Sequence, residues 1–242
     1  MKQGHSGSTI KKSRGVVEKR TTYAEFGNNL RRQRDLMTLT ARLPVLPRVN
    51  AVNGDVITME FVDGTEGMTE RNAHAVGSAL RILHEQRGFG HRCDVGADWV
   101  LTLANENLAR ASVSLRIPDT VASAFPDDAL IHGEPTQIIE RHDGGIVFID
   151  IEEIGWGSRY RDIGFVEYIA RMNDETNLLD QFLAGYNDAD PIDIDRRRIR
   201  QMAGITAIAY ARFASAERRI ELGIRMMKEA EQHLPVDALQ RA

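Results

Sequence analysis

The sequence predicts an α+β fold in two lobes, a small β-rich one over residues 1–62 and a larger, mostly helical one over 63–242. Two observations carry this. Up to Val62, short apolar runs are punctuated by Gly- and Asn-containing turns, with one helical stretch among them. Beyond Asp63-Gly64, apolar residues recur every three or four positions, and Leu130–Asp150 is the one strongly strand-like region.

The elements follow in order. Thr9–Lys12 and Val16–Lys19 flank Ser13-Arg14-Gly15, a hairpin turn. Asn28–Leu43 sets Leu30, Met37, Leu39 and Leu43 among charges and stops before Pro44 and Pro47, as a helix must where the next residues lack an N–H. Asn53-Gly54-Asp55 turns between two further strands, Pro47–Val52 and Val56–Val62. In the second lobe Thr69–Glu85 carries Ala73, Val76, Leu80 and Leu83 at helical spacing, with Thr69 and Glu70 suited to a first turn. Asp98–Leu108 and Thr120–Phe125 are shorter helical segments. From Phe165 onward the pattern is helical again. Asp195–His233 holds a long apolar stripe through Ala209, Phe213, Ala216, Ile220, Ile224 and Met227, with a break expected at Gly204 or Gly223.

Composition narrows the function classes. A chain of 242 residues can bury a real core, and 42% hydrophobic with 27% charged residues is ordinary for a globular protein. The formal charge of −4 gives no polyanion-binding surface, so Arg196-Arg197-Arg198 and Arg218-Arg219 read as solvated helix faces and no nucleic-acid partner is expected. The lone Cys93 cannot form an internal disulfide. No apolar run reaches membrane-span length and the first residues lack a signal-peptide core, so no membrane partner and a cytoplasmic location are expected. Nothing in the pattern sets an oligomeric state. Asp188, Asp190, Asp193 and Asp195 lack the glycine and terminal glutamate of a calcium loop and read as a turn and helix cap.

The residues with chemical promise lie between Leu130 and Asp162. Ile131 ends a strand and leaves His132, Gly133 and Glu134 on the loop beyond it. Gln137–Glu140 can pair with Ile146–Ile149 across Arg141–Gly145, which brings Gln137 and Asp150 to the same end of a hairpin. A carboxylate and an amide oxygen are hard ligands suited to Mg²⁺, which takes few protein ligands beside phosphate and water. Glu134 on the adjoining loop can accept a proton from a hydroxyl nucleophile.

This stretch resembles the catalytic signature of the aminoglycoside phosphotransferase/choline kinase family, small-molecule kinases with a protein-kinase-like fold. His132-Gly133-Glu134 stands where that family has a His-Gly-Asp loop. Gln137 takes the place of a metal-binding Asn if two loop residues are absent, and Ile149-Asp150-Ile151-Glu152 matches the strand end whose Asp is the main metal ligand. Gly155-Trp156-Gly157 and Arg161-Asp162-Ile163-Gly164 resemble a later segment whose Asp supports the catalytic loop. The resemblance covers most of the chain. Val76–His84 looks like a helix ending in Leu-His, and Phe182–Tyr186 like another family helix, both read as packing. Met59–Gly64 looks like the hinge, where backbone groups near Glu60 and Val62 would meet adenine. Gly4, Ser6 and Gly7 would turn over the phosphates, and Lys19 would reach the α- and β-phosphates.

The resemblance implies ATP and Mg²⁺ as cofactors and phosphoryl transfer to a hydroxyl of a small molecule. In that reading Asp150 and Gln137 hold the metal, Glu134 orients the acceptor and His132 braces the loop. The acids Glu152, Glu153, Asp174 and Glu175 on the helical lobe would favour a cationic acceptor. Three departures qualify it. Glu134 and Gln137 are each one methylene, about 1.5 Å, longer than the usual residues. The helix position that should offer a glutamate to Lys19 falls near Gln33, with Asp35 the nearest acid. These keep two other readings in play, a nucleotide-binding regulatory protein with weak or no catalysis and a kinase acting on a protein hydroxyl.

Overall fold

β-Branched residues and a glycine turn begin the fold as a meander. The computed structural model of the chain describes residues 2–3, 9–13, 15–21, 29–212 and 216–232. Strands β1 (Lys2–Gln3), β2 (Thr9–Ser13) and β3 (Val16–Arg20) precede helix α1 (Leu30–Thr40), and β4 (Val49–Asn53) and β5 (Val56–Glu60) follow it. All pair antiparallel in the order β1-β2-β3-β5-β4. Gly15 takes φ +81° in the β2–β3 turn, a backbone state that suits glycine. In β3 alternate side chains face opposite sides, so Lys19 shares a face with Val17 and sits opposite Ile57 of β5. That face is covered, and Lys19 is only 4% exposed. Helix α1 is capped by Asn29, whose side-chain oxygen accepts from the Arg32 N–H at 3.0 Å, and it buries Leu36.

Residues 61–63 belong to no strand. Beyond them come β6 (Thr65–Glu66), α2 (Ala73–His84) and α3 (Ala97–Arg110), then a 3₁₀ turn at Asp119–Ala124. Helix α2 starts at Ala73, later than Thr69, because the Asn72 side chain turns back to accept from the Thr69 N–H. Three short strands follow, β7 (Ala129–Ile131), β8 (Ile138–Glu140) and β9 (Ile146–Phe148), then a 3₁₀ turn at Ile151–Glu153 and β10 (Gly155–Gly157). Strands β6, β8 and β9 form one small sheet, and β10 pairs with β7 in another. Helices α4 (Arg159–Met172), α5 (Leu178–Tyr186), α6 (Arg196–Ala209) and α7 (Ala216–Gln232) complete the second lobe. Asp195 caps α6 by accepting from the Arg197 and Arg198 N–H groups.

Two glycine contacts set the helix packing. A Cβ on Gly77 of α2 would lie 2.0 Å from the Phe182 carbonyl oxygen, and one on Gly185 of α5 would lie 1.9 Å from that of His74, so these helices meet backbone to backbone. The apolar stripe expected to break at Gly204 or Gly223 breaks elsewhere, at a 3₁₀ turn over Tyr210–Arg212. The two glycines instead face each other across α6 and α7. A Cβ on Gly204 would stand 2.7 Å from the Gly223 oxygen, and one on Gly223 would stand 2.5 Å from the Gly204 oxygen. Close approach, with its gain in packing contacts, outweighs the helix-breaking tendency of glycine here. Among the described residues, no helix is long and apolar enough to cross a membrane.

Candidate active site

Strand β7 is fully buried and releases the chain at Ile131 into the loop His132-Gly133-Glu134. That loop is held from below by α4. The Asp162 carboxylate accepts the N–H of His132 at 2.8 Å, the N–H of Gly133 at 2.8 Å and His84 Nε2 at 3.0 Å. His84 Nδ1 in turn meets the Tyr186 hydroxyl at 2.7 Å. Burial by itself would raise the Asp162 pKa, but the His84 hydrogen bond and charge and the donated backbone N–H hold it below the usual carboxylate range. His84, read from sequence as packing, is therefore also a polar link from α2 to the loop. Burial lowers the pKa of His132 against the pull of Asp162, Asp150 and Glu134, and its Nδ1 accepts the Glu134 N–H at 3.3 Å. That contact joins the ring to the loop's own backbone. Gly133 has φ +97°, and a Cβ there would stand 2.7 Å from Val95 Cγ2.

The Glu134 carboxylate faces Tyr210, whose hydroxyl donates to Oε1 at 2.5 Å. Arg161 Nη2 donates to the same hydroxyl at 3.2 Å, and Arg161 Nε to the Val95 carbonyl at 2.9 Å. Trp99, Phe165 and Tyr168 surround the Tyr210 ring with centroids at 6.4, 5.3 and 6.1 Å. Burial pushes the Tyr210 hydroxyl well above its ordinary pKa, so it stays protonated and donating. Tyr210 escaped the sequence reading because it lies 76 residues beyond Glu134 and no motif marks it. One hydrogen bond leaves the carboxylate with further acceptor sites for a hydroxyl.

The hairpin pairs as its pattern requires, with Ile138 opposite Phe148 and Glu140 opposite Ile146. At its open end the Gln137 N–H donates to the Glu134 carbonyl at 3.0 Å, and the Ile149 N–H donates to the Gln137 carbonyl at 2.9 Å. Gln137 is thereby placed beside the step from Ile149 to Asp150. Asp150 adopts φ +63°, ψ +47°, a left-handed state that Asp tolerates better than most residues. Its Oδ1 accepts from Lys19 Nζ at 2.7 Å, while Glu152 Oε1 stands 2.5 Å from the same ammonium. Burial would lower the Lys19 pKa, but Glu152 and then Asp150 raise it above its usual value. Glu152 is pushed up by burial and pulled down by Lys19, with burial the stronger. The surface role read for Glu152 is corrected here: it is 3% exposed, turned inward beneath Lys19.

Among the described residues, no group of three or more His, Cys, Asp or Glu could hold a metal. A Mg²⁺ ion needs less, one or two protein oxygens beside phosphate and water. Asp150 fits that chemistry, since 42% of its side chain is exposed, and the Gln137 backbone is hydrogen-bonded to Ile149, the residue before Asp150. At the lobe junction the Glu60 N–H donates to the Arg48 carbonyl at 2.9 Å and its carboxylate pairs with Arg141 at 3.1 Å. Glu60 and Val62 line an open cavity of about 330 Å³ with Asp63, Arg141 and His142. Gly4, Ser6 and Gly7 lie outside the described residues. Gln33 reaches the Gly54 carbonyl at 3.4 Å, and Asp35 lies 3.4 Å from His91.

At the level of sequence, no protein-family model and no curated protein matches the chain. Solved structures do match its fold. A choline/ethanolamine kinase family protein from Mesorhizobium loti superposes with a TM-score of 0.68 at 15% identity, covering 93% of this chain and 87% of the other. A macrolide 2'-phosphotransferase type I gives 0.57 at 15% identity over 93% and 90% of the two chains. An aminoglycoside-3'-phosphotransferase of type VIII gives 0.55 at 17% identity over 84% and 94%. The fold is that of these small-molecule kinases and phosphotransferases, with a small antiparallel sheet lobe and a mostly helical second lobe.

Proposed function

We propose that this chain, having the fold of small-molecule kinases, is an ATP-dependent phosphotransferase that moves the γ-phosphoryl group to a hydroxyl of a small molecule. The observation that carries the reading is the 2.7 Å contact between Lys19 of the sheet lobe and Asp150 at the hairpin end of the helical lobe. A lysine and a carboxylate meeting across two lobes is the polarity needed where anionic phosphates and a divalent ion share one cleft.

Each residue has a stated part. Lys19 offers a point charge to the phosphates. Asp150 and Gln137 would hold Mg²⁺, which neutralises phosphate charge when bound. Glu134 orients the acceptor hydroxyl and takes its proton, with Tyr210 fixing one oxygen so that the other faces the acceptor. Asp162, through the N–H groups of His132 and Gly133, keeps that loop in place. Backbone groups near Glu60 and Val62 would meet the base of the nucleotide. Phosphoryl transfer is mostly positioning and charge stabilisation, so this set is chemically sufficient.

One observation favours a second reading, a nucleotide-binding regulatory protein. The residue in the base position already has a hydrogen-bonded partner in Tyr210. The test for both is Mg²⁺-dependent ATP turnover against a panel of small-molecule alcohols, beside direct nucleotide titration, for wild type and Asp150→Asn. Turnover lost in Asp150→Asn supports the phosphotransferase. Nucleotide binding without turnover on any alcohol supports the regulatory protein, and absence of both overturns the site reading altogether.

A further inference from the structure

Helix α1 faces the cleft with an arginine where a carboxylate would serve the lysine. Arg32 is 4% exposed; its Nη2 donates to the Glu152 carbonyl oxygen at 2.6 Å and its Nη1 to the Asp94 carboxylate. The only acid on α1 is Asp35, and it lies beside His91 and Arg31. Among the described residues, the carboxylates that meet Lys19 are Asp150 and Glu152, two positions apart in one turn. The charges expected of helix and turn are thus exchanged. The turn supplies the anion, and the helix supplies the cation that grips the turn.

Resting on the phosphotransferase reading, we infer that Glu152 is the anchor that positions Lys19, and that Arg32 fixes this anchor through its main chain. The division of labour follows from exposure. Asp150 has 42% of its side chain exposed and can turn to a metal, whereas Glu152 has 2% exposed and keeps its hold on Lys19 when phosphates arrive. With Glu152 removed, the buried ammonium is left to Asp150, whose side chain is 42% exposed, and with Lys19 removed the buried Glu152 carboxylate is left uncompensated. The lysine's anchor lies in the 3₁₀ turn Ile151–Glu153, and Asp150 is the residue that caps that turn, so the two carboxylates are held two positions apart. Helix α1 reaches the pair through Arg32, which donates to the Glu152 carbonyl oxygen.

Glu152 and Arg32 are positioning residues, and a double-mutant cycle over Lys19→Met and Glu152→Gln tests this. The first readout is the urea midpoint of the protein without nucleotide. Each single change is expected to lower it, and the double variant to recover part of the loss because no lone charge remains buried. The second readout is kcat at saturating ATP. Glu152→Gln is expected to lower kcat at least tenfold in the wild-type background and to change it less than twofold in the Lys19→Met background. A residue with only a structural role would cost the same in both. Arg32→Lys, which keeps the charge but loses the fork, is expected to lower kcat with the same dependence on Lys19. Midpoint coupling without wild-type turnover supports the pair and overturns the phosphotransferase reading. Turnover with no coupling in either readout overturns the anchor and leaves that reading standing.

Discussion

The Asp162 carboxylate accepts the backbone N–H of His132 at 2.8 Å, although thirty residues separate them along the chain. With Gly133 and His84 on the same group, one buried side chain ties the loop after β7 to helices α2 and α4. Asp162→Asn turns one acceptor oxygen into a donor aimed at N–H groups. It is expected to cost about 1–3 kcal/mol in denaturant unfolding. The sign with pH follows from the lowered pKa. The stabilisation from Asp162 is present above its unfolded value of about 3.9 and is lost as pH falls through the lower folded value. The gap between wild type and variant therefore holds at neutral pH and narrows as pH falls below about 3.9.

Glu134 and Tyr210 make a second pair, joined at 2.5 Å. Glu134→Gln removes the proton acceptor and is expected to lower kcat by roughly 10²–10⁴-fold. Tyr210→Phe removes only the fixing hydrogen bond, and a loss of roughly tenfold is expected, corresponding to about 1.4 kcal/mol. Steady-state kinetics on the same acceptor would check the order. A Tyr210→Phe loss as large as that of Glu134→Gln would mean that the tyrosine itself moves the proton.

Glu153 carries a pH signature in stability. Burial pushes its carboxyl up to about 7, against the pull of Arg161 and Lys19. Because the folded state binds this proton more tightly than the unfolded chain, the contribution is fully present below about pH 4.3 and is lost as pH rises through about 7. Glu153→Gln removes the titration. Denaturation midpoints of the variant are expected to gain on wild type between pH 5 and 8, on the order of the window set by these two values. Parallel curves across that range would refute the assignment.

Cys93 lies behind the loop, 7% exposed, with its thiol pushed up to about 12 by burial. The thiolate is the reactive form, so iodoacetamide is expected to label the folded protein slowly at pH 8 and the urea-unfolded chain quickly. Mass spectrometry over time reads both rates. Fast labelling of the folded protein would show that this region opens.

The local elements were legible because their signals are local. The hairpin of Gln137–Glu140 with Ile146–Ile149, the end of β7 at Ile131 and the Asp195 cap all follow from side-chain alternation, turn glycines and capping chemistry within a few residues. The helix break did not follow. Gly204 and Gly223 look alike to a propensity argument whether they end a helix or let two helices touch, and only the partner helix tells them apart.

The same division runs through the candidate site. The sequence by itself determined the order of chemistry-bearing groups, Lys19 on a strand, then His132-Gly133-Glu134, Gln137 and Asp150 at strand ends and loops, and Asp162 in the first turn of a helix. Tertiary structure decided who partners whom. Glu152 turns inward to Lys19, Tyr210 reaches Glu134 and Arg32 grips the Glu152 main chain. Those pairs span 133, 76 and 120 residues respectively. A buried charge must find an opposite charge or a dipole wherever the fold brings one, and that meeting depends on how the lobes pack rather than on spacing along the chain.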